Sequence, residues 1–74
     1  KTVAFDVIGD AEVSTVFLGT NCNFSGDPNR KPILWETMVF GGMYHRSQWR
    51  YASREEALAG HERIVAALRE GREP

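Results

Sequence analysis

His61 and Glu36 are the two residues of this 74-residue chain whose chemistry is hardest to pass over. His61 stands in the middle of an apolar helical stripe, and Glu36 stands among Leu34, Trp35, Met38, Val39 and Phe40. A histidine in such a place can serve as a base or a ligand. Inside a core, however, it more often turns a ring nitrogen toward a backbone carbonyl or a carboxylate. A carboxylate among apolar side chains has to be paired, protonated or at a rim. For Glu36 the pattern offers Arg50 on an adjacent strand, His61 on the helix, or a residue of another subunit. No second catalytic group is spaced to accompany either residue, so both are expected to be structural polar groups. A small hydrolase using Glu36 and His61 together is the catalytic alternative.

Other catalytic and ligating patterns are weak. Cys22 is the single cysteine, which excludes an intramolecular disulfide and a thiolate zinc cluster and suits a reducing, cytoplasmic setting. Cys22, Asp27, Glu36, His45 and His61 fall at no recognised ligand spacing, so neither a metal nor a cofactor is expected. Neither Cys22 nor any serine sits in a nucleophile elbow, and Gly41-Gly42 reads as a turn rather than a phosphate-binding loop.

Binding chemistry is better represented. Residues 33 to 51 hold both tryptophans, both tyrosines and both methionines. Within them Tyr44, His45, Arg46, Trp49 and Arg50, with Met43 and Tyr51, interleave aromatic and basic groups. Such a mixture can stack on bases and clamp phosphates, and it also matches the composition of protein interface hot spots. The plainer reading makes Trp49 and Tyr51 core residues and leaves the rest as a solvated tip. Net charge is −1 but unevenly spread. Residues 30 to 54 carry five basic groups, Arg30, Lys31, Arg46, Arg50 and Arg54, against Glu36 alone, and the segments on either side are acidic. The candidate contact residues are therefore Arg30, Lys31, Tyr44, His45, Arg46, Trp49 and Arg50, facing either a protein or an anionic nucleotide.

These residues need a scaffold, and its elements are readable. TVAFDVI, residues 2 to 8, alternates as a strand and ends at Gly9-Asp10; VSTVFLGT, residues 13 to 20, is a second strand, so the two predict a hairpin. Residues 20 to 32 are rich in Asn, Asp, Ser, Gly and Pro without periodicity and read as a long loop. Residues 33 to 40 form the strongest strand, Gly41-Gly42 turns it, and 47 to 51 return. Ser53 with Glu56 makes a capping box that opens a helix. Ala57, Leu58, His61, Ile64, Val65 and Leu68 supply its apolar stripe, and Gly71 stops it. The expected fold is one α+β domain over residues 1 to 74: an antiparallel sheet of three to four strands packed by one C-terminal helix, in ββββα order.

That scaffold leaves a surplus. One helix covers one face of the sheet, yet the third strand is apolar on both: Ile33, Trp35 and Val39 on one, Leu34, Met38 and Phe40 on the other. A second apolar face predicts a partner, most simply another copy in a homodimer or larger homo-oligomer. No run approaches the roughly 18 apolar residues of a membrane span.

VSTVFLG at 13 to 19, WETMVFGG at 35 to 42 and WRYASREEALAGHERIVAAL at 49 to 68 together resemble a family of small, mostly uncharacterised proteins encoded by tailed phages and prophages. The resemblance covers about residues 13 to 68, with ETMVFGG and Gly60-His61 its most specific parts. The loop from Asn21 to Lys31 is longer and more basic than that pattern, so a function seated there need not carry over. Membership implies a protein of the host-cell cytoplasm that acts by binding, as an accessory or counter-defence factor against a host protein or complex. Capture of an anionic nucleotide signal at a subunit interface is the alternative.

Overall fold

The computed structural model describes residues 2 to 19 and 34 to 74. Four strands, β1 (Thr2–Ile8), β2 (Ala11–Phe17), β3 (Trp35–Phe40) and β4 (Gln48–Tyr51), precede one helix, α1 (Arg54–Arg69). The strands form an antiparallel sheet in the order β1-β2-β3-β4, and α1 packs on one face, against all four strands. This is the expected α+β architecture in ββββα order.

Strand β2 begins two residues earlier than its β-branched run suggests, because Ala11 and Glu12 already pair with Ile8 and Val7. The first hairpin therefore turns on Gly9 and Asp10 alone. The second hairpin is looser. Arg46 donates its N–H to the Val39 carbonyl at 2.7 Å while Val39 donates to the Ser47 carbonyl at 3.0 Å, so two residues oppose one. Arg46 occupies this bulge with φ 74°, a left-handed conformation that glycine usually takes. Gly41, at φ 84°, lets the loop pass so close to the Asp10 carbonyl that any Cβ would collide with it.

Helix α1 starts at Ser53, whose Oγ accepts the Glu56 N–H at 3.1 Å. The Glu56 carboxylate accepts from the Ser53 hydroxyl at 3.0 Å, where the box motif would have it accept the Ser53 backbone N–H. At the other end Gly71, with φ 74°, donates to the Leu68 carbonyl, and Arg72 donates to that of Ala67, closing a Schellman cap.

Register sorts the side chains. Val13 opposes Val39 and Thr15 opposes Thr37, with Asp6 beside Val13 and Trp49 beside Thr37, all on the face toward α1. Val13, Val39, Ala57, Ile64, Val65, Ala67 and Ala11 form the buried apolar set, and Ile8, Tyr44, Trp49 and Leu68 pack around it. Among the described residues the largest fully buried side chains are valines and threonines. Phe17 and Trp35 stack at the margin with ring centroids 5.1 Å apart.

Candidate functional site

A chain of polar groups crosses this small core from helix to sheet. Thr15 and Thr37 are neighbours on β2 and β3, both without solvent exposure, and their hydroxyl oxygens lie 2.5 Å apart. The Thr15 hydroxyl also meets Nδ1 of His61 at 2.7 Å, and Nε2 of that ring meets Oδ2 of Asp6 on β1 at 2.8 Å. The Asp6 carboxylate can only accept, so Nε2 carries a hydrogen. With the ring neutral, Thr15 donates to Nδ1 and accepts from Thr37, and every hydroxyl then points toward Asp6. His61 is thus the core histidine facing a carboxylate that its helical position suggested, with a threonine on its other side.

Beyond Thr37 lies Tyr51. Its hydroxyl is buried, sits beside Thr37 and has no partner in hydrogen-bond geometry among the described residues. Burial pushes the phenol above its ordinary value of 10.0, opposed in part by the Arg63 guanidinium and by the Thr37 hydroxyl. The Tyr51 ring also occupies the space a side chain at position 60 would need. A Cβ on Gly60 would lie 2.5 Å from Cζ and 2.8 Å from Cε1 of that ring, and closer still to its hydroxyl. The adjacent Gly60 and His61 therefore have joint roles: one makes room for the tyrosine, the other anchors the threonines.

An Asp-His-Thr sequence has the composition of a nucleophilic triad, but its access is wrong. Thr15 is 0% exposed, so no substrate carbonyl can approach its hydroxyl. Only the Asp6 end opens outward, on a shallow groove of about 330 Å³ lined by Asp6, His61, Glu62, Val65, Ala66 and Arg69. The arrangement ties α1 to β1 and β2.

Glu36 lies on the other face of the sheet. It pairs with Arg50, its cross-strand neighbour, through Oε2 and Nε at 3.0 Å. The sheet therefore separates Glu36 from His61, and a site combining them does not form. Of the remaining expected contact residues, Trp49 and Tyr44 pack against the core. His45 accepts the Gly41 N–H at Nδ1, 2.7 Å away, inside the loop that also carries the exposed Arg46. Arg30, Lys31, Cys22 and Asp27 lie outside the described residues. The described part of the anticipated anion clamp is therefore Arg46 with the outer side of His45, since Arg50 is engaged by Glu36. Among the described residues no group of three or more His, Cys, Asp and Glu could hold a metal ion, and no helix is long and apolar enough to cross a membrane.

The most distinctive surface is the sheet face away from α1. Register places Phe5, Val7, Glu12, Ser14, Val16, Glu36, Met38, Phe40, Gln48 and Arg50 on it, and the alternation continues to Leu18. Phe5 is 52% exposed, Val7 58%, Phe40 41% and Leu18 39%, so no described element covers them. Sequence alternation had shown the β3 part of this face. Phe5 and Val7 extend it across β1.

The molecule is thus a four-stranded antiparallel sheet with a single helix, a sealed polar chain on the helix side and an open apolar face behind. Comparison with known proteins finds no matching family model, no matching curated protein and no matching solved structure.

Proposed function

We propose that this protein is non-enzymatic and acts by binding, with the open face of its sheet as a surface for association with protein. The observation that carries the reading is that face itself, where Phe5 and Val7 of β1, Leu18 just after β2 and Phe40 of β3 are exposed. Apolar patches of a few hundred Å² are the largest that soluble monomers usually display, and they are often functional. The Asp6-His61-Thr15 chain supports the same reading, because the Thr15 and Thr37 hydroxyls and the His61 ring are buried and only the Asp6 carboxylate reaches the surface. The sequence resemblance adds a setting: a phage accessory or counter-defence protein, working in the host cytoplasm on a host protein or complex. Arg46 and His45, exposed at the tip of the second hairpin, are the second contact region.

A photo-crosslinking amino acid at Val7, compared with one at Glu62 on the exposed side of α1, tests the binding surface. Covalent protein adducts in expressing cells are expected from position 7 and not from position 62. Adducts from neither position, or equally from both, would refute a binding role for this face.

A further inference from the structure

We infer that the open face is occupied by a second copy of this chain, packed sheet against sheet about a two-fold axis; this rests on the reading of that face as a binding surface and names its partner. Three observations select a copy over an unrelated protein. The first is the poverty of the chain's own core. Among the described residues the largest fully buried side chains are Val13, Val39, Thr15 and Thr37, whereas Phe5, Phe17 and Phe40 are each more than a third exposed. A 74-residue domain is already near the size at which one core becomes marginal without disulfides, metals or assembly. A chain that places its large apolar groups outside its core needs a cover whenever it is folded, and its own copy is the one partner always present with it.

Charge is the second. A two-fold contact brings a patch against itself, so a charged centre would meet its own sign. Here the row across the middle of all four strands, Phe5, Ser14, Met38 and Gln48, carries no charge. In the row toward one end, Glu36 is already paired with Arg50. Glu12 stands in the opposite row between Val7 and Phe40, away from that centre. Interface centres are depleted of charge in the same way.

Area is the third. With aromatic side chains of about 200 Å² and aliphatic ones of roughly 100 Å², the exposed parts of Phe5, Phe40, Val7 and Leu18 amount to about 300 Å² per chain. A stable interface of the smallest ordinary size buries about 600 Å² per partner, somewhat more than half of it apolar. The four side chains nearly supply that share, and Val16 and Met38 on the same face add to it. Facing sheets would stand about 10 Å apart with the two inner layers interdigitated.

Light scattering on the purified full chain should give twice the 8.3 kDa chain mass at micromolar concentration and above, with a melting temperature that rises with concentration. Val7→Lys and Phe40→Lys should each shift the dissociation constant upward by at least tenfold. Because a lysine variant can fail to fold, isotope-filtered NMR on mixed labelled and unlabelled wild-type chains provides a second readout. Intermolecular contacts are expected from Phe5, Val7 and Phe40. A single-chain mass across the micromolar range would overturn self-association, and adducts to another protein from position 7 would still leave the binding reading standing. A dimer without those intermolecular contacts would overturn the face assignment.

Discussion

Thr15→Val tests the polar chain at its hub. The substitution keeps shape and replaces one hydroxyl, with two consequences: Nδ1 of His61 loses a partner 2.7 Å away, and the Thr37 hydroxyl loses one at 2.5 Å. Both orphaned groups belong to residues at most 3% exposed, so water does not readily replace the loss. A buried polar atom left unsatisfied costs about 1–3 kcal/mol, and the added methyl returns roughly 0.8 kcal/mol. Allowing the Thr37 hydroxyl to turn elsewhere, the net destabilisation is about 1–3 kcal/mol. For a domain of this size that lowers the melting temperature by roughly 4–24 °C. Thr37→Val removes one bond and leaves Thr15 joined to His61, so its cost is about 1 kcal/mol. The double variant should fall short of the sum by about 1 kcal/mol, because the Thr15–Thr37 bond is lost in each single variant. Urea unfolding followed by Trp35 and Trp49 fluorescence, at fixed protein concentration, measures all three. A Thr15→Val protein as stable as wild type, or strict additivity within about 0.3 kcal/mol, would show that the hydroxyls do not act as a connected chain.

Gly60→Ala should destabilise the protein by about 1 kcal/mol, although the same change in an open helix interior normally stabilises by 0.5–1 kcal/mol, because the new Cβ strikes the Tyr51 ring. In a Tyr51→Ala background the ordinary helical gain should return; a stabilising Gly60→Ala in the wild type would refute the collision. Tyr51 also sets an alkaline limit. Its folded value is raised, so its contribution is fully present below about pH 10 and is lost as pH rises through the folded value. Urea midpoints between pH 8 and 11 should fall for wild type more steeply than for Tyr51→Phe, whereas parallel curves would contradict the burial of that hydroxyl.

How much of this was legible in the sequence depends on how far apart in the chain each cause lies. The helix was legible because Ser53, Glu56 and the stripe from Ala57 to Leu68 are local signals that agree. The Glu36–Arg50 pair was among the readings because it needs only one hairpin register. The Asp6-His61-Thr15-Thr37 chain was not, since it joins residues up to 55 positions apart and depends on two strand registers and the placement of α1 at once. Thr15 falls in the same inward row as Val13, but a threonine in a strand reads equally well as a β-branched strand former. Gly60 was visible only as a member of a pair with His61. Its reason, the Tyr51 ring, comes from packing between β4 and α1. The bulge at Arg46 was hidden for the opposite reason, since Gly41-Gly42 is a strong local turn signal that drew attention from a left-handed residue four positions later.

The two faces of the sheet divide the tasks of stability and specificity. On the helix side, valines and alanines pack around a threonine pair and a histidine, and such a centre gives modest apolar burial but strict geometry. If α1 shifted by one turn along the sheet, about 5.4 Å, His61 would lose Asp6 and Thr15 together, leaving buried polar atoms unsatisfied. On the open side, Phe5, Val7, Met38 and Phe40 offer large area with no directional bonds, which suits assembly and does little to fix register. The two contributions are separable by experiment. Thr15→Val should lower stability at every protein concentration and leave the slope of melting temperature against log concentration unchanged. Phe40→Lys should flatten that slope while the Thr15–His61 hydrogen bond persists in the nuclear magnetic resonance of the imidazole ring. If Thr15→Val instead changed the slope, the polar chain would be coupled to the assembly surface across the sheet, and this division of labour would be wrong.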